Sequence, residues 1–105
     1  MVRGEIFRFR GTRDARGSEQ RGARYAVVVQ ADELLPLSTV LVVPTSASAP
    51  ARTYRPSIEV EGRETRLLTE QLTATSTSRL GASVGRLDST ELFDLDRALA
   101  IVLGL

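Results

Sequence analysis

The sequence predicts a mainly β protein: a small, strongly bent, barrel-like sheet of five to seven strands with one α-helix on its flank. Two runs rich in β-branched residues, over 25–29 and 39–43, are typical of strands buried on both faces. Helical spacing of apolar residues occurs only at the C-terminal end, over 88–104. The 105 residues match the length of a single domain, 1–105.

The N-terminal segment predicts one strand followed by a long exposed loop. Phe7 and Phe9 alternate with Arg8 and Arg10, as in a half-buried strand whose phenylalanines face the core. Residues 11–23 contain three glycines and three arginines and almost nothing apolar. Loops of this length in a small domain are typically functional or disordered.

The two buried strands are joined by a short helical turn over 31–35, which Pro36 ends. Pro44 is expected to close the second strand because it has no N–H to donate. The pattern then predicts a loop over 45–53, a strand over 57–60 with a turn at 61–62, a strand over 66–72, a turn over 73–78 and a short strand over 83–87.

The C-terminal helix has start and stop signals as well as a periodic pattern. Asp88 followed three residues later by Glu91 predicts a capping box, and Gly104 is placed to end the helix. The apolar positions recur at helical spacing, and we interpret them as core packing: Leu92, Leu95, Leu99 and Val102.

The absence of whole residue types excludes several kinds of active site. The chain has no Cys and no His, which excludes disulfides, thiolate chemistry, Ser-His-Asp hydrolysis and two-histidine RNA cleavage. All 14 basic residues are arginine, whose guanidinium suits bidentate contact with phosphate. No apolar run approaches the ~20 residues that span a bilayer, so we expect a cytoplasmic protein with no membrane contact.

Positive charge is concentrated at the N-terminal end of a chain whose net charge is only +1. Residues 1–24 hold seven arginines against three acidic residues. This distribution fits a local anionic ligand such as a phosphodiester backbone, and it fits equally a solvated loop with scattered charge.

Four segments resemble the MazF/PemK family of bacterial toxin endoribonucleases. Val2–Phe7 is similar to the opening strand of that family, and Val42–Thr45 is similar to its strand end that carries a threonine. Residues 17–24, Gly-Ser-Glu-Gln-Arg-Gly-Ala-Arg, resemble the family signature before its second strand. Residues 68–72, 78–81 and 85–87 resemble its C-terminal half. The resemblance covers nearly the whole chain.

The resemblance implies a small SH3-like barrel of the CcdB/PemK type that works as a homodimer. It implies the toxin of a type II toxin–antitoxin system, which cleaves single-stranded RNA at short sequences without a metal or other cofactor and thereby inhibits translation and growth. The products would carry a cyclic phosphate and a free 5′-hydroxyl. The expected partners are single-stranded RNA and a cognate antitoxin whose disordered C-terminal tail occupies the RNA groove.

The catalytic pair of the family falls on Arg24 and Thr45. Arg24 would stabilise the negative charge of the phosphorane and deliver a proton to the leaving oxygen. Glu19, or with less support Glu70, would assist the 2′-hydroxyl. The alternatives are a Glu19 that pairs with a neighbouring arginine and a Thr45 hydroxyl that satisfies a loop backbone group.

RNA contacts are expected from the loop and from the second half of the chain. The candidates that could meet phosphates or base edges are Arg13, Arg16, Ser18, Gln20, Arg21, Glu70 and Gln71. Base stacking would depend on arginine planes, Tyr25 or Tyr54. For Arg13 and Arg16 a solvated position is as good an interpretation.

Three departures from the family pattern leave the cut sequence unpredicted. Tyr25 stands where proline is common, Thr73 where an arginine is usual, and Ser57 where a histidine is often found. The competing hypotheses are a family member that only binds RNA or titrates an antitoxin, and a CcdB-like gyrase poison. The second is disfavoured because that poison depends on a C-terminal Trp, which this chain lacks.

Overall fold

Seven strands, three short 3-10 turns and one helix form the part of the chain that this computed structural model describes, residues 1–10, 24–35 and 37–105. The strands are β1 Glu5–Phe9, β2 Tyr25–Val28, β3 Thr39–Ser46, β4 Ser57–Val60, β5 Arg63–Leu67, β6 Thr73–Ser76 and β7 Leu80–Arg86. The 3-10 turns are Asp32–Leu34, Thr69–Gln71 and Thr77–Arg79, and the helix is α1 Ser89–Leu103.

The sheet is antiparallel, with strand order β4-β5-β3-β2-β1-β7 and with β6 paired to β3 beside this path. β3 is the strand on which the sheet bends. Its residues 42–44 pair with β2 and its residues 39–42 pair with β6, but from Thr45 onward it pairs with β5. The predicted mainly β, bent, barrel-like sheet with a C-terminal helix is confirmed.

Two apolar clusters lie on opposite faces of β2. Tyr25 and Val27 enter the larger cluster, which also holds Leu95 and Leu99 of α1. Ala26 and Val28 enter the smaller cluster, against which Phe7, Phe9, Leu35 and Leu80 pack. All four residues of β2 are buried, as the β-branched run predicts.

The predicted helix ends and the predicted hairpin are confirmed. The Asp88 carboxylate accepts a 2.8 Å bond from the Glu91 N–H, and the Glu91 carboxylate accepts a 3.0 Å bond from the Asp88 N–H. Gly104 ends α1 with a left-handed φ of 72°. Glu61 and Gly62 join β4 to β5 with φ values of 53° and 79°, as a two-residue hairpin turn requires.

Three predicted boundaries are wrong. Pro44 does not end β3: it lies within the strand, and its carbonyl accepts a 2.9 Å bond from the Leu68 N–H. The strand expected over 66–72 is β5 at Arg63–Leu67, followed by the 3-10 turn Thr69–Gln71. The turn expected over 73–78 begins instead as a strand, β6, because the β-branched threonines of this segment pair with the free edge of β3.

The last strand also begins earlier than the pattern indicates. β7 runs from Leu80 to Arg86 rather than from residue 83, because pairing with β1 extends the strand through Gly81. The turn over 31–35 is present as the 3-10 segment Asp32–Leu34, and Pro36 lies outside the described residues. Leu34 is exposed at the end of this turn, and Leu35 packs on the smaller cluster.

Candidate functional site

Arg24 lies directly before β2, and its backbone is fixed by the neighbouring strand. The Phe9 N–H donates a 3.0 Å bond to the Arg24 carbonyl. The Arg24 side chain is half-buried, and its Nε is buried with no hydrogen-bond partner in the part of the chain that the structure describes. A buried donor without a partner is costly, so this guanidinium is suited to bind an anion that enters beside it.

Arg24 lines an open cleft where β1 ends and β7 begins. The cleft has a volume of about 300 Å³ and is lined by Arg8, Phe9, Arg10, Arg24, Arg79 and Gly81. The Arg79 Nη1 donates a 3.1 Å bond to the Arg10 carbonyl, which fixes the Arg79 side chain across the cleft. Four arginines line this one small cleft, and their positive charges make it a cationic site.

Arg8 is the cleft arginine that forms an ion pair with a described carboxylate. Its Nη2 lies 2.9 Å from Oε2 and 3.0 Å from Oε1 of Glu61, which belongs to the β4–β5 turn. The same Glu61 Oε1 accepts a 2.6 Å bond from the Tyr25 hydroxyl. The hydrogen bond to Glu61, followed by burial, raises the pKa of Tyr25 above its usual range.

Thr45 lies in β3 at the point where that strand changes partner from β2 to β5. Ala26 of β2 is opposite Pro44 of β3, so Arg24 and Thr45 lie at the same end of two neighbouring strands. The Thr45 side chain is 1% exposed. The strand register therefore brings the two predicted catalytic residues to one end of the sheet, with Thr45 beneath the surface.

Glu70 and Gln71 lie in the 3-10 turn that follows β5. The Glu70 carboxylate accepts bonds of 2.6 and 3.1 Å from Nη2 and Nε of Arg55. This bond from Arg55, opposed by partial burial, lowers the pKa of Glu70 below its usual range. The Thr69 hydroxyl also donates to the Tyr54 carbonyl, so the turn holds the loop between β3 and β4 in place.

Comparisons with known proteins decide the family. The family model described as the PemK-like, MazF-like toxin of type II toxin–antitoxin system matches residues 2–103. The chain belongs to this toxin family. Rv3098A of Mycobacterium tuberculosis, itself named only as a candidate toxin, is 40% identical over 106 residues, with 100% of this chain and 99% of that protein covered. This chain is therefore the toxin component of a type II toxin–antitoxin system.

Solved structures share the fold of this PemK-like toxin at low sequence identity. MazF from Deinococcus radiodurans is 18% identical with a TM-score of 0.78, over 100% of this chain and 97% of that one. A mycobacterial endoribonuclease in complex with its cognate antitoxin is 17% identical with a TM-score of 0.77, over 100% of this chain and 96% of that one. These likenesses establish the MazF-like fold.

Several site predictions for this PemK-like toxin fall on residues outside the described part of the chain. They are Arg13, Arg16, Ser18, Glu19, Gln20 and Arg21, and they stay predictions. Of the described candidates, Gln71 is exposed, and Glu70 is occupied by Arg55. The cleft that Arg24 lines includes neither Glu70 nor Thr45.

The stacking role expected for Tyr25 is wrong, because the ring is 7% exposed and belongs to the larger core cluster. Tyr54 is half-buried, with the Arg55 guanidinium 5.7 Å from its ring centroid. Thr73 is exposed on β6, and the exposed Ser57 donates to Glu64.

Sequence reasoning missed three residues of the cleft wall in this PemK-like toxin, namely Arg8, Arg10 and Arg79, together with Glu61. The alternation at 7–10 places Arg8 and Arg10 on a polar face, but it does not indicate a cleft. Arg79 and Glu61 join them only through pairing of distant segments. No described helix is long and apolar enough to cross a membrane, and the described residues include no cluster of acidic side chains arranged to hold a metal ion.

Proposed function

We propose that this toxin is a sequence-specific, metal-independent endoribonuclease that cleaves single-stranded RNA and so inhibits translation and growth. The observation that carries the proposal is the position of Arg24, half-buried with an unpartnered Nε among the described residues, in a cleft that three further arginines line. A phosphodiester is the anion that such a cleft fits best, because guanidinium forks match the geometry of phosphate oxygens.

The proposed reaction is attack by a ribose 2′-hydroxyl on the adjacent phosphorus. The 2′-oxygen forms a bond to phosphorus as the proton leaves it, and the bond from phosphorus to the 5′-oxygen breaks. The leaving 5′-oxygen takes up a proton, so the products are a 2′,3′-cyclic phosphate and a free 5′-hydroxyl. In the transition state negative charge grows on the non-bridging oxygens, and a fixed donor aimed at them lowers the barrier.

Arg24 is assigned to those oxygens and to proton delivery at the leaving group. Its main chain is tied to β1 by the bond from the Phe9 N–H, so the side chain starts from a rigid base. Glu19 is assigned to accept the proton of the 2′-hydroxyl. Loop residues Arg13, Arg16, Ser18, Gln20 and Arg21, with Glu70 and Gln71, are assigned to RNA contact.

Thr45 is assigned to hold the scissile phosphate beside Arg24. Thr45 is only 1% exposed, so its hydroxyl can contact RNA only after the residues packed over it move. Thr45→Val removes the hydroxyl and keeps the branched shape. We expect slower single-turnover cleavage at unchanged RNA affinity. If the loss of activity is fully explained by a lower free energy of unfolding, the hydroxyl serves only to stabilise the fold.

The expected partners are a second copy of the chain and a cognate antitoxin. The mycobacterial endoribonuclease of the same fold was solved with its cognate antitoxin. A peptide tail that carries carboxylates would compete with RNA for the same arginines. We therefore propose that the antitoxin tail silences this toxin by filling the cleft.

Incubation of the purified toxin with a long, structure-poor RNA in EDTA tests the proposal. Primer extension and end labelling should show discrete cuts with 5′-hydroxyl ends. Arg24→Ala should lower the cleavage rate by about 10²–10³-fold, as loss of a fixed donor to an oxyanion does. Arg97→Ala is the matched control, because Arg97 lies on α1 and does not line the cleft. Intact RNA with folded, antitoxin-free toxin would overturn the proposal and favour a binding role.

A further inference from the structure

Glu61 places a negative charge beside Arg8, one of the four arginines that line the cleft. The Arg8 side chain is 51% exposed and that of Glu61 is 37% exposed, so both groups of the pair are in contact with solvent. Both Glu61 oxygens accept from the same Arg8 nitrogen, at 2.9 and 3.0 Å. Within the described ranges, no carboxylate makes such a pair with Arg10, Arg24 or Arg79.

The turn that carries Glu61 is not one that favours glutamate. Both central positions of the β4–β5 turn have left-handed φ values, 53° at Glu61 and 79° at Gly62. Asn, Asp and Gly are the residues that adopt this conformation most readily. A longer acidic side chain at the first position disfavours the turn itself, but it reaches Arg8 and Tyr25 across the sheet.

Tyr25 fixes the carboxylate in place. Arg8 and Tyr25 are opposite each other in the β1–β2 ladder, and Glu61 bonds both side chains. The Tyr25 ring is buried, so its hydroxyl is held where it donates to Oε1 at 2.6 Å. The carboxylate is therefore positioned by two donors, and it binds Nη2 of Arg8, a nitrogen that could otherwise donate to a phosphate.

We propose that Glu61 withholds Arg8 from RNA, so that a phosphodiester strand in the cleft is bound by the other three arginines and not by Arg8. This inference rests on the proposed RNA binding at the cleft. The RNA affinity is therefore lower, and depends less on salt, than it would be with four free guanidiniums.

The test measures how RNA affinity depends on salt. The probe is a 2′-O-methyl oligoribonucleotide, which has no free 2′-hydroxyl and is not cut by the proposed reaction, so binding is read separately from cleavage. The affinity of the wild type, Glu61→Gln, Arg8→Gln and the double variant is measured over a range of salt concentrations. For single strands the slope of log affinity against log salt steepens by about 0.7 for each phosphate neutralised.

Wild type and Arg8→Gln should give the same slope, and Glu61→Gln should give a slope steeper by about 0.7. The double variant should return to the wild-type slope, since the released guanidinium is gone. A shallower slope for Arg8→Gln than for wild type would overturn the inference, because Arg8 would then already bind phosphate. An unchanged slope for a folded Glu61→Gln would overturn it as well.

Two controls keep the outcomes separate. Thermal unfolding and gel filtration show which variants fold. If Glu61→Gln does not fold, the comparison of wild type with Arg8→Gln still decides the matter. Absence of binding by both wild type and Glu61→Gln would overturn the proposed function itself, whereas binding with the wrong slopes overturns only the role of Glu61.

Discussion

The hydroxyl of Tyr25 donates a 2.6 Å hydrogen bond to the carboxylate of Glu61, a residue 36 positions further along the chain. This bond joins the first residue of β2 to the turn between β4 and β5. The β4–β5 hairpin and β2 lie on either side of β3 in the sheet. The bond therefore connects two parts of the bent sheet beside the residue that we assign to catalysis, Arg24.

Tyr25→Phe should destabilise the protein by about 1–2 kcal/mol, because it removes a hydrogen bond to a charged acceptor that remains partly hydrated. Urea unfolding of both proteins measures the difference in the free energy of unfolding. Tyr54→Phe is the matched control, since no described partner bonds the Tyr54 hydroxyl, and a change below about 0.5 kcal/mol is expected. Equal losses in the two variants would contradict the assigned bond.

The phenol of Tyr25 should titrate above its usual value of 10.0, because Glu61 accepts its proton in a hydrogen bond and burial disfavours the phenolate. In a Tyr54→Phe background Tyr25 is the remaining tyrosine, so absorbance at alkaline pH reports it alone. Adding Glu61→Gln should lower the midpoint. A titration midpoint that does not change on Glu61→Gln would show that burial alone raises the pKa of Tyr25.

This titration also predicts how stability depends on alkaline pH. The pKa of Tyr25 is raised in the folded state, so the stabilisation is complete below the unfolded value of 10.0 and is lost as pH rises through the folded value. The free energy of unfolding of the wild type should therefore fall above pH 10.0 more steeply than that of Tyr25→Phe. Identical slopes would contradict the linkage.

The ion pair of Glu70 with Arg55 should make the free energy of unfolding depend on pH in the acid range. The pKa of Glu70 is lowered from 4.5 chiefly by the Arg55 guanidinium, so its stabilisation is present above pH 4.5 and is lost as pH falls through the lower folded value. Glu70→Gln should flatten the acid side of the stability curve, measured by urea unfolding between neutral pH and pH 3. Some slope should remain, because a hydrogen bond from Ser83 also lowers the pKa of Glu5.

Loss of the N-cap of α1 should lower the free energy of unfolding moderately. Asp88→Ala should cost about 1 kcal/mol, since it leaves the Glu91 N–H without its acceptor. Asp96→Ala, an acidic residue within α1 whose contact is an exposed ion pair with Arg3, should cost less. Urea unfolding of the two variants distinguishes the explanations: a larger loss for Asp88→Ala supports the cap, and equal losses would indicate a general effect of removing negative charge.

The sequence predicted elements whose cause is local. Alternation set the faces of β1, the β-branched run buried β2 on both sides, and Asp88, Glu91 and Gly104 fixed the ends of α1. It did not predict the limits of β5 and β6. β6 pairs with the first half of β3 and β5 pairs with its last residues, and this pairing overrides weak local preference.

The candidate site divides in the same way. Arg24 and Thr45 came from a resemblance in short motifs, and the register of β2 and β3 places them at the same end of the sheet. No motif indicated the cleft wall of Arg8, Arg10 and Arg79. Arg79 lies 69 positions from Arg10 and meets it only through the pairing of β1 with β7.

The sequence by itself determined the secondary structure with local causes, the family and the arginine-only chemistry of this toxin. It excluded histidine and cysteine catalysis outright, because those residues are absent. Only the tertiary structure decided which arginines share a cleft, that Glu61 occupies one of them, and that Tyr25 is a core residue rather than a stacking surface. The physical reason is that charge and burial depend on contacts between distant segments, which a pattern of neighbours along the chain does not contain.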